Sequence, residues 1–119
     1  MEVFELQIGD WVSYLGDPVN VISLNFNDDE PIGIMSPLKK IFMLREKDVY
    51  PIRLDESMFM QNNFNPEVIL WWRFSEDDPF KITIKNENTS LCMQVTYVHE
   101  LQHALRLCGL SELADKFSL

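Results

Sequence analysis

The segment Tyr97–Cys108 constrains the fold more than any other part of the chain. It reads Y-V-H-E-L-Q-H-A-L-R-L-C and is followed by Gly109. Its apolar residues recur with the period of an α-helix and, at about 100° per residue, form one continuous arc. We predict a helix with Thr96 as its N-cap and Gly109 as its C-terminal stop. The residues predicted to face the core are Tyr97, Val98, Leu101, Ala104, Leu105 and Cys108.

The same segment contains both histidines of the chain, His99 and His103, in an H-E-x-x-H motif. In zinc peptidases this spacing places two imidazoles on one side of a helix, where both bind the metal, and the glutamate activates the metal-bound water. One hypothesis is therefore a minimal zinc metallopeptidase. Its metal ligands would be His99, His103 and Glu112, and its catalytic residue would be Glu100.

Two features of the sequence count against the peptidase. On the helical wheel His99, His103 and Arg106 lie opposite the apolar arc, so both imidazoles should face solvent beside a cation that disfavours a bound metal. The third ligand is the other difficulty, because the position six residues after His103 is Gly109. We therefore predict two surface histidines, no metal and no cofactor, and we keep zinc as the alternative.

The composition bounds the class of protein. A chain of 119 residues with 46% hydrophobic residues can build one domain, or two very small units. A net charge of −9 and a pI near 4.5 argue against direct binding to nucleic-acid phosphates. Acidic clusters at Asp28–Glu30, Asp55–Glu56 and Glu76–Asp78 are expected in turns and at a helix start. An acidic inhibitor that mimics nucleic acid is a further alternative.

The cellular location is predicted from the termini, the apolar runs and the cysteines. The start M-E-V-F-E-L-Q-I does not resemble a signal peptide, and the longest apolar run, Val68–Trp72, is too short to cross a bilayer. The two cysteines, Cys92 and Cys108, are expected to be reduced and buried. We predict a cytoplasmic protein that does not bind a membrane.

Short strands separated by turn signals fill the first half of the chain. Their close spacing predicts a small curved sheet or barrel, and the G-D-W-V-x-Y start looks like an SH3-like barrel. This likeness of pattern carries no function. The predicted strands begin at Trp11 and cover Trp11–Tyr14, Val19–Phe26, Ile32–Met35, Ile41–Leu44 and Val49–Leu54, of which the last is limited to an edge by Pro51.

The second half predicts a short helix and a three-stranded meander. Asp55 is a good N-cap for a helix over Glu56–Asn62, with Met58 and Phe59 facing inward. A short helix over Glu112–Lys116, capped by Ser111, should follow the long one. The predicted meander strands are Val68–Phe74, Phe80–Lys85, in which Phe80, Ile82 and Ile84 are buried, and Leu91–Val95.

The strand that contains Val68–Trp72 does not alternate. A strand that is apolar on both faces is either central in its sheet or contacts something else with its second face. We predict an interaction surface at Ile69, Trp71 and Trp72 for this reason.

Three segments resemble uncharacterised small proteins from Bacteroides-type bacteria, their phages and mobile elements. The segments are Ile8–Tyr14, for an I-G-x-x-V-x-Y start, Val49–Glu56, for an I-x-P-I-x-L-(T/D)-E pattern, and Tyr97–His103, for Y-V-H-E-L-Q-N. In that group the position of His103 is typically asparagine, so the second histidine is not a group feature. The group also ends in a short extended tail, where this chain has Leu110–Leu119. The resemblance implies an accessory protein of a phage or mobile element and supplies no reaction.

Together these features predict an α+β protein. Residues 1–54 should form a small SH3-like β unit, and residues 55–119 should form a helix, an antiparallel meander and a C-terminal helix packed on it, sharing one core with the first unit. Because no catalytic constellation is complete, we expect a non-enzymatic protein that binds a protein partner or itself.

Overall fold

The computed structural model describes the whole chain, residues 1–119, as two compact units, Met1–Ile52 and Arg53–Leu119. The first contains a four-stranded sheet, and the second contains a three-stranded sheet with three α-helices. All strand pairs are antiparallel, which confirms the predicted α+β class. None of the helices is long and apolar enough to span a membrane.

The first unit is a meander in which each strand pairs with the next. Its strands are β1 (Trp11–Tyr14), β2 (Asp17–Leu24), β3 (Ile32–Met35) and β4 (Ile41–Leu44), in the spatial order β1-β2-β3-β4. The predicted strands have the same bounds, except that the second was predicted over Val19–Phe26 and β2 covers Asp17–Leu24. One face is buried, because alternate residues of each strand point to the same side. The buried residues of this unit include Val12, Val19, Val21, Ile32, Ile34 and Val49.

Gly33 marks a close contact between neighbouring strands. A Cβ atom on this residue would lie directly against Oγ of Ser23 and 3.2 Å from Sδ of Met43. The side chains from β2 and β4 therefore meet across the glycine in β3. Only a residue without a side chain fits at this position.

The prediction of a strand over Val49–Leu54 is wrong. Only isolated pairs form there, Ser13 with Tyr50 in the first unit and Arg53 with Tyr97 in the second. A short 3₁₀ turn at Glu46–Asp48 precedes the segment, and Pro51 has no N–H to donate. The Ser13–Tyr50 pair brings the chain that follows β4 back to β1. The description of this unit as SH3-like stays a prediction.

The second unit contains α1 (Glu56–Asn62), β5 (Ile69–Trp72), β6 (Phe80–Asn86), β7 (Thr89–Val95), α2 (Val98–Leu107) and α3 (Ser111–Asp115). The sheet order is β5-β6-β7, so β5 is an edge strand, which excludes the first of the two alternatives for it, a central strand. The central strand is β6, whose Phe80, Ile82 and Ile84 are buried as predicted. The Asp55 cap of α1 is also confirmed, since its carboxylate accepts the N–H of Met58 at 3.0 Å.

Aromatic side chains join α1 to this sheet. The ring centre of buried Phe59 lies 4.8 Å from that of Trp71 in a stacked arrangement and 4.8 Å from that of Phe80. The last residues of the chain also dock on α1. The Asn62 amide donates to the Ser118 carbonyl at 2.9 Å and accepts the Ser118 N–H at 2.9 Å. These contacts place α1 and the C-terminal residues over one side of the meander.

Candidate functional site

The glutamate of the H-E-x-x-H motif caps its own helix. Tyr97 is the N-cap residue, one position later than predicted, and α2 begins at Val98. One carboxylate oxygen of Glu100 accepts the N–H groups of Thr96 and Tyr97, both at 2.9 Å. This is the glutamate half of a capping box, which satisfies backbone donors at the start of a helix. Glu100 is therefore committed to holding the helix start.

The prediction of two solvent-facing histidines is wrong for His99. It is 8% exposed, whereas His103 is half-buried. The Tyr97 ring stacks on His99, and α3 packs against α2 on a flank that lies outside the apolar arc of the helical wheel. On that flank Gln102 is fully buried and donates to the carbonyl of Ala114 at 3.0 Å. The wheel places His99 about two turns before Arg106.

The two histidines do lie near each other. Their ring centres are 5.5 Å apart with the planes at 76°, and His99 is also stacked on Tyr97 at 6.0 Å. Glu112, the hypothetical third ligand, is exposed on α3. No group of three or more histidine, cysteine, aspartate or glutamate residues is placed to hold a metal ion. The groups of the motif that a metal could bind are therefore two neighbouring imidazoles, and the glutamate between them in the sequence already serves as a helix cap.

The zinc hypothesis stays a prediction that metal analysis can test. Protein purified without chelators should contain less than about a tenth of an equivalent of zinc if the pair is no metal centre. A full equivalent would restore the peptidase hypothesis.

The open side of the second sheet offers a different kind of site. We call this side the outer face. The strand register places Trp72 opposite Lys81, and Lys81 opposite Gln94, so these side chains form one row across it. The outer face contains Leu70, Trp72, Lys81, Thr83, Lys85, Ser90, Cys92 and Gln94.

The predicted interaction surface must be corrected for Ile69 and Trp71. Ile69 is 2% exposed and lies in the core, and Trp71 is half-buried against Phe59. Successive side chains of a strand point to opposite faces, so Leu70 and Trp72 are the residues of β5 that reach solvent. They are 53% and 47% exposed.

Trp72 is the centre of an exposed aromatic cluster. Its ring lies edge-on to Phe74 with 4.9 Å between centres, and Phe74 is 81% exposed. Nζ of Lys81 lies 4.9 Å from the Trp72 ring centre and 5.6 Å from that of Phe74. A cation held by two aromatic rings keeps the cluster ordered while its apolar surface stays open.

Two shallow depressions adjoin Trp72. One, of about 240 Å³, is lined by Phe74, Pro79 and Lys81 among others. The second, of about 330 Å³, extends over Thr83, Cys92 and Gln94. A ridge of aromatic rings beside shallow hollows suits a protein surface better than an enclosed small-molecule site.

The cysteines differ from each other, contrary to the prediction that both are buried. Cys108 is buried as predicted, and burial raises the pKa of its thiol. Cys92 is exposed on the outer face, where its Sγ lies 3.5 Å from Oγ1 of Thr83. The reason is register, because Cys92 pairs with Thr83 on the open side of the sheet.

Several carboxylates have structural roles that the sequence did not reveal. Asp10 is fully buried and accepts the N–H of Gln7 at 2.8 Å, and Glu46 accepts the N–H of Val3 at 2.7 Å. Asp55 and Glu100 also accept backbone N–H groups as helix caps, so all four carboxylates contribute to the fold. The hypothesis of a nucleic-acid mimic stays a prediction. Some of the carboxylates behind the net charge of −9 serve the fold, so fewer of them are left to imitate phosphates.

Sequence reasoning identified Trp72 but missed Leu70, Phe74, Lys81 and Cys92. The alternation of β6 places Lys81 on the exposed side of that strand, and the register shows that Cys92 and Trp72 share this side. Comparison of the chain with models of protein families, with curated proteins and with solved structures gives no match.

Proposed function

We propose that the protein acts by binding another protein and that the outer face, centred on Trp72, is the binding surface. The observation that carries this proposal is the exposed cluster of Trp72, Phe74 and Leu70. Exposed apolar groups that form a contiguous patch on a small protein are typical of interaction sites. Tryptophan is also the residue type most enriched among those that dominate binding energy.

The composition of the outer face supports a partner with acidic groups near its own apolar contact. Lys81 and Lys85 are the charged residues at the strand positions of this face, and none of those positions holds a carboxylate. Two copies meeting through this face would bring lysines toward lysines, which is unfavourable. A different protein is therefore the occupant we favour, and self-association is the competing outcome.

The biological setting we propose is that of an accessory protein of a phage or mobile element. Its support is the resemblance of Ile8–Tyr14, Val49–Glu56 and Tyr97–His103 to proteins of such elements. In this proposal the chain performs no reaction of its own. The SH3-like character of the first unit belongs to the same proposal, supported by the return of Tyr50 to Ser13 across the end of the meander.

The test compares wild-type protein with Trp72→Ala. Phe26→Ala is the matched control, since Phe26 is an aromatic residue of the first unit with 62% exposure. Tagged proteins are used to capture partners from a bacterial lysate, and light scattering at micromolar concentration measures self-association. We expect Trp72→Ala to weaken the captured complex about tenfold or more, and Phe26→Ala to leave it unchanged.

Cys92 gives an independent readout on the same surface. A bound partner should slow alkylation of the Cys92 thiol in wild-type protein. A monomer that captures nothing, or a complex that survives Trp72→Ala and leaves Cys92 fully reactive, would contradict the proposal.

A further inference from the structure

Strand β4 is an edge strand of the first sheet. It pairs with β3 over its whole length, Ile32 to Leu44 and Met35 to Ile41, and no strand pairs with its other side. A strand at the edge of a sheet presents unpaired backbone N–H and C=O groups. These groups are a template for a further strand unless the protein covers them.

The side chains of β4 are unusually open for an apolar strand. Ile41, Phe42 and Met43 follow each other in sequence and are 62%, 42% and 43% exposed. Ile41 and Met43 point to one side of the sheet, and Phe42 points to the other, where its ring lies 6.4 Å from Tyr14. An added strand would therefore find apolar contacts on both sides of the sheet.

Cations flank this edge in a chain of net negative charge. Lys39, Lys40, Arg45 and Lys47 are four of the ten lysines and arginines, and all four are exposed. The carboxylates of the same stretch are Glu46 and Asp48, both half-buried. Glu46 is engaged by the N–H of Val3 at 2.7 Å, so the exposed charge at this edge is positive.

A second copy of β4 is a poor occupant. Directly opposite residues of an antiparallel pair point to the same side, so self-pairing centred on Phe42 would place Lys39 opposite Arg45 at both ends. Like charges directly opposite each other destabilise a strand pair. Lysines at an edge are a known means of preventing such self-pairing.

We propose that β4 binds an extended acidic segment of another protein by strand addition. The partner segment has alternating apolar residues that contact Ile41 and Met43, and acidic residues at its ends that meet Lys40 and Arg45. Backbone hydrogen bonds along the free edge provide the affinity, and the flanking charges select the partner. This site lies in the first unit, so it extends the proposed function and does not depend on the outer face.

The experiment uses the full chain and a fluorescently labelled peptide in which acidic pairs flank a short valine–threonine alternation. Fluorescence anisotropy measures binding at moderate salt. The same peptide with lysine pairs is the control ligand. We expect saturable binding of the acidic peptide, no binding of the basic one, and an affinity that falls as salt rises.

Charge variants test the assignment to β4. Lys40→Glu with Arg45→Glu should weaken binding about tenfold or more, and the milder pair Lys40→Gln with Arg45→Gln should weaken it about threefold. The matched control is Arg53→Glu with Lys116→Glu, which makes the same change in net charge at exposed residues of the second unit that lie off the outer face. The control pair should stay within about twofold of wild type.

Hydrogen exchange distinguishes strand addition from diffuse attraction. The acidic peptide should slow exchange of backbone amides in Ile41–Leu44. Absence of saturable binding, equal weakening by the control pair, or protection confined to other segments would each overturn the proposal. A peptide-free dimer with protected β4 amides would also overturn it, because a second copy would then be the occupant.

Discussion

The side chain of Gln102 donates a hydrogen bond to the carbonyl oxygen of Ala114 at 3.0 Å, and Gln102 is fully buried. This bond joins α2 to α3 on a flank of α2 that its apolar pattern leaves open. An ion pair between Arg106 and Asp115, 3.6 Å apart, lies on the same flank. The short helix therefore covers polar residues of the long one.

Replacing Gln102 with leucine should destabilise the second unit. The change removes this buried hydrogen bond, while the Phe117 N–H still reaches the Ala114 carbonyl at 3.4 Å, so we expect a loss of about 0.5–1.5 kcal/mol of unfolding free energy. Urea unfolding followed by circular dichroism measures the loss. Gln94→Leu on the exposed outer face is the control and should change stability by less than about 0.5 kcal/mol. Equal effects of the two variants would show that the Gln102 bond is not the cause.

Glu100 should behave as a helix cap. Glu100→Ala removes the acceptor for the N–H groups of Thr96 and Tyr97 and should cost about 1 kcal/mol, within the range measured for caps. Glu100→Gln keeps an acceptor oxygen and should cost less. Thermal unfolding of the three proteins gives the order. If the glutamine variant were as unstable as the alanine variant, the capping role would be wrong.

The two cysteines should differ in reactivity. Cys92 is exposed and should react at once with a thiol reagent in the native protein, whereas Cys108 should react only after unfolding. Cys92→Ser should therefore abolish the fast reaction, and Cys108→Ser should preserve it. Thiolates are the reactive form, so burial slows Cys108 both by exclusion and by the raised pKa of its thiol.

The same pKa shift has a consequence for stability at high pH. Burial raises the pKa of Cys108 in the folded state above its ordinary value of 9.0. The folded state therefore favours the protonated thiol, and this contribution is present in full below pH 9.0 and is lost as pH rises through the raised pKa. Cys108→Ala should lose less stability than wild type between neutral and alkaline pH. An unchanged pH profile would contradict this assignment.

Gly33→Ala should destabilise the first unit. The new methyl group meets Oγ of Ser23 across the strand pair, and overpacking of this kind costs about 1–3 kcal/mol. Adding Ser23→Ala removes that oxygen and leaves the Cβ of residue 23 at 3.3 Å, so the double variant should recover part of the loss. Urea unfolding of the single and double variants measures the coupling. Independent, additive effects would rule out the contact as the cause.

Local sequence signals predicted much of the fold. The Asp55 cap, the alternation of Phe80, Ile82 and Ile84, and the apolar arc of α2 depend on neighbours within one turn or one strand. Each of these predictions is confirmed. The candidate surface was predicted only in part, since Trp72 is exposed but Ile69 is in the core.

The errors share a physical cause, which is contact between segments far apart in the sequence. His99 was placed in solvent because the wheel of an isolated helix does not show what packs on it. Cys92 was placed in the core because an apolar residue type does not reveal which face of β7 it occupies. Both β5 and β4 lie at the edges of their sheets. Strand order decides this, and the residue pattern of a single strand does not encode strand order.

The sequence by itself determined the α+β class, most of the strand and helix positions and the alternation that buries one side of each sheet, because these follow from short-range periodicity and capping. Only the tertiary structure decided which apolar residues remain exposed. Trp72 and Ile41 are open because β5 and β4 end their sheets, and Gln102 is buried because α3 packs on α2. Strand order and helix packing set these outcomes through long-range contacts.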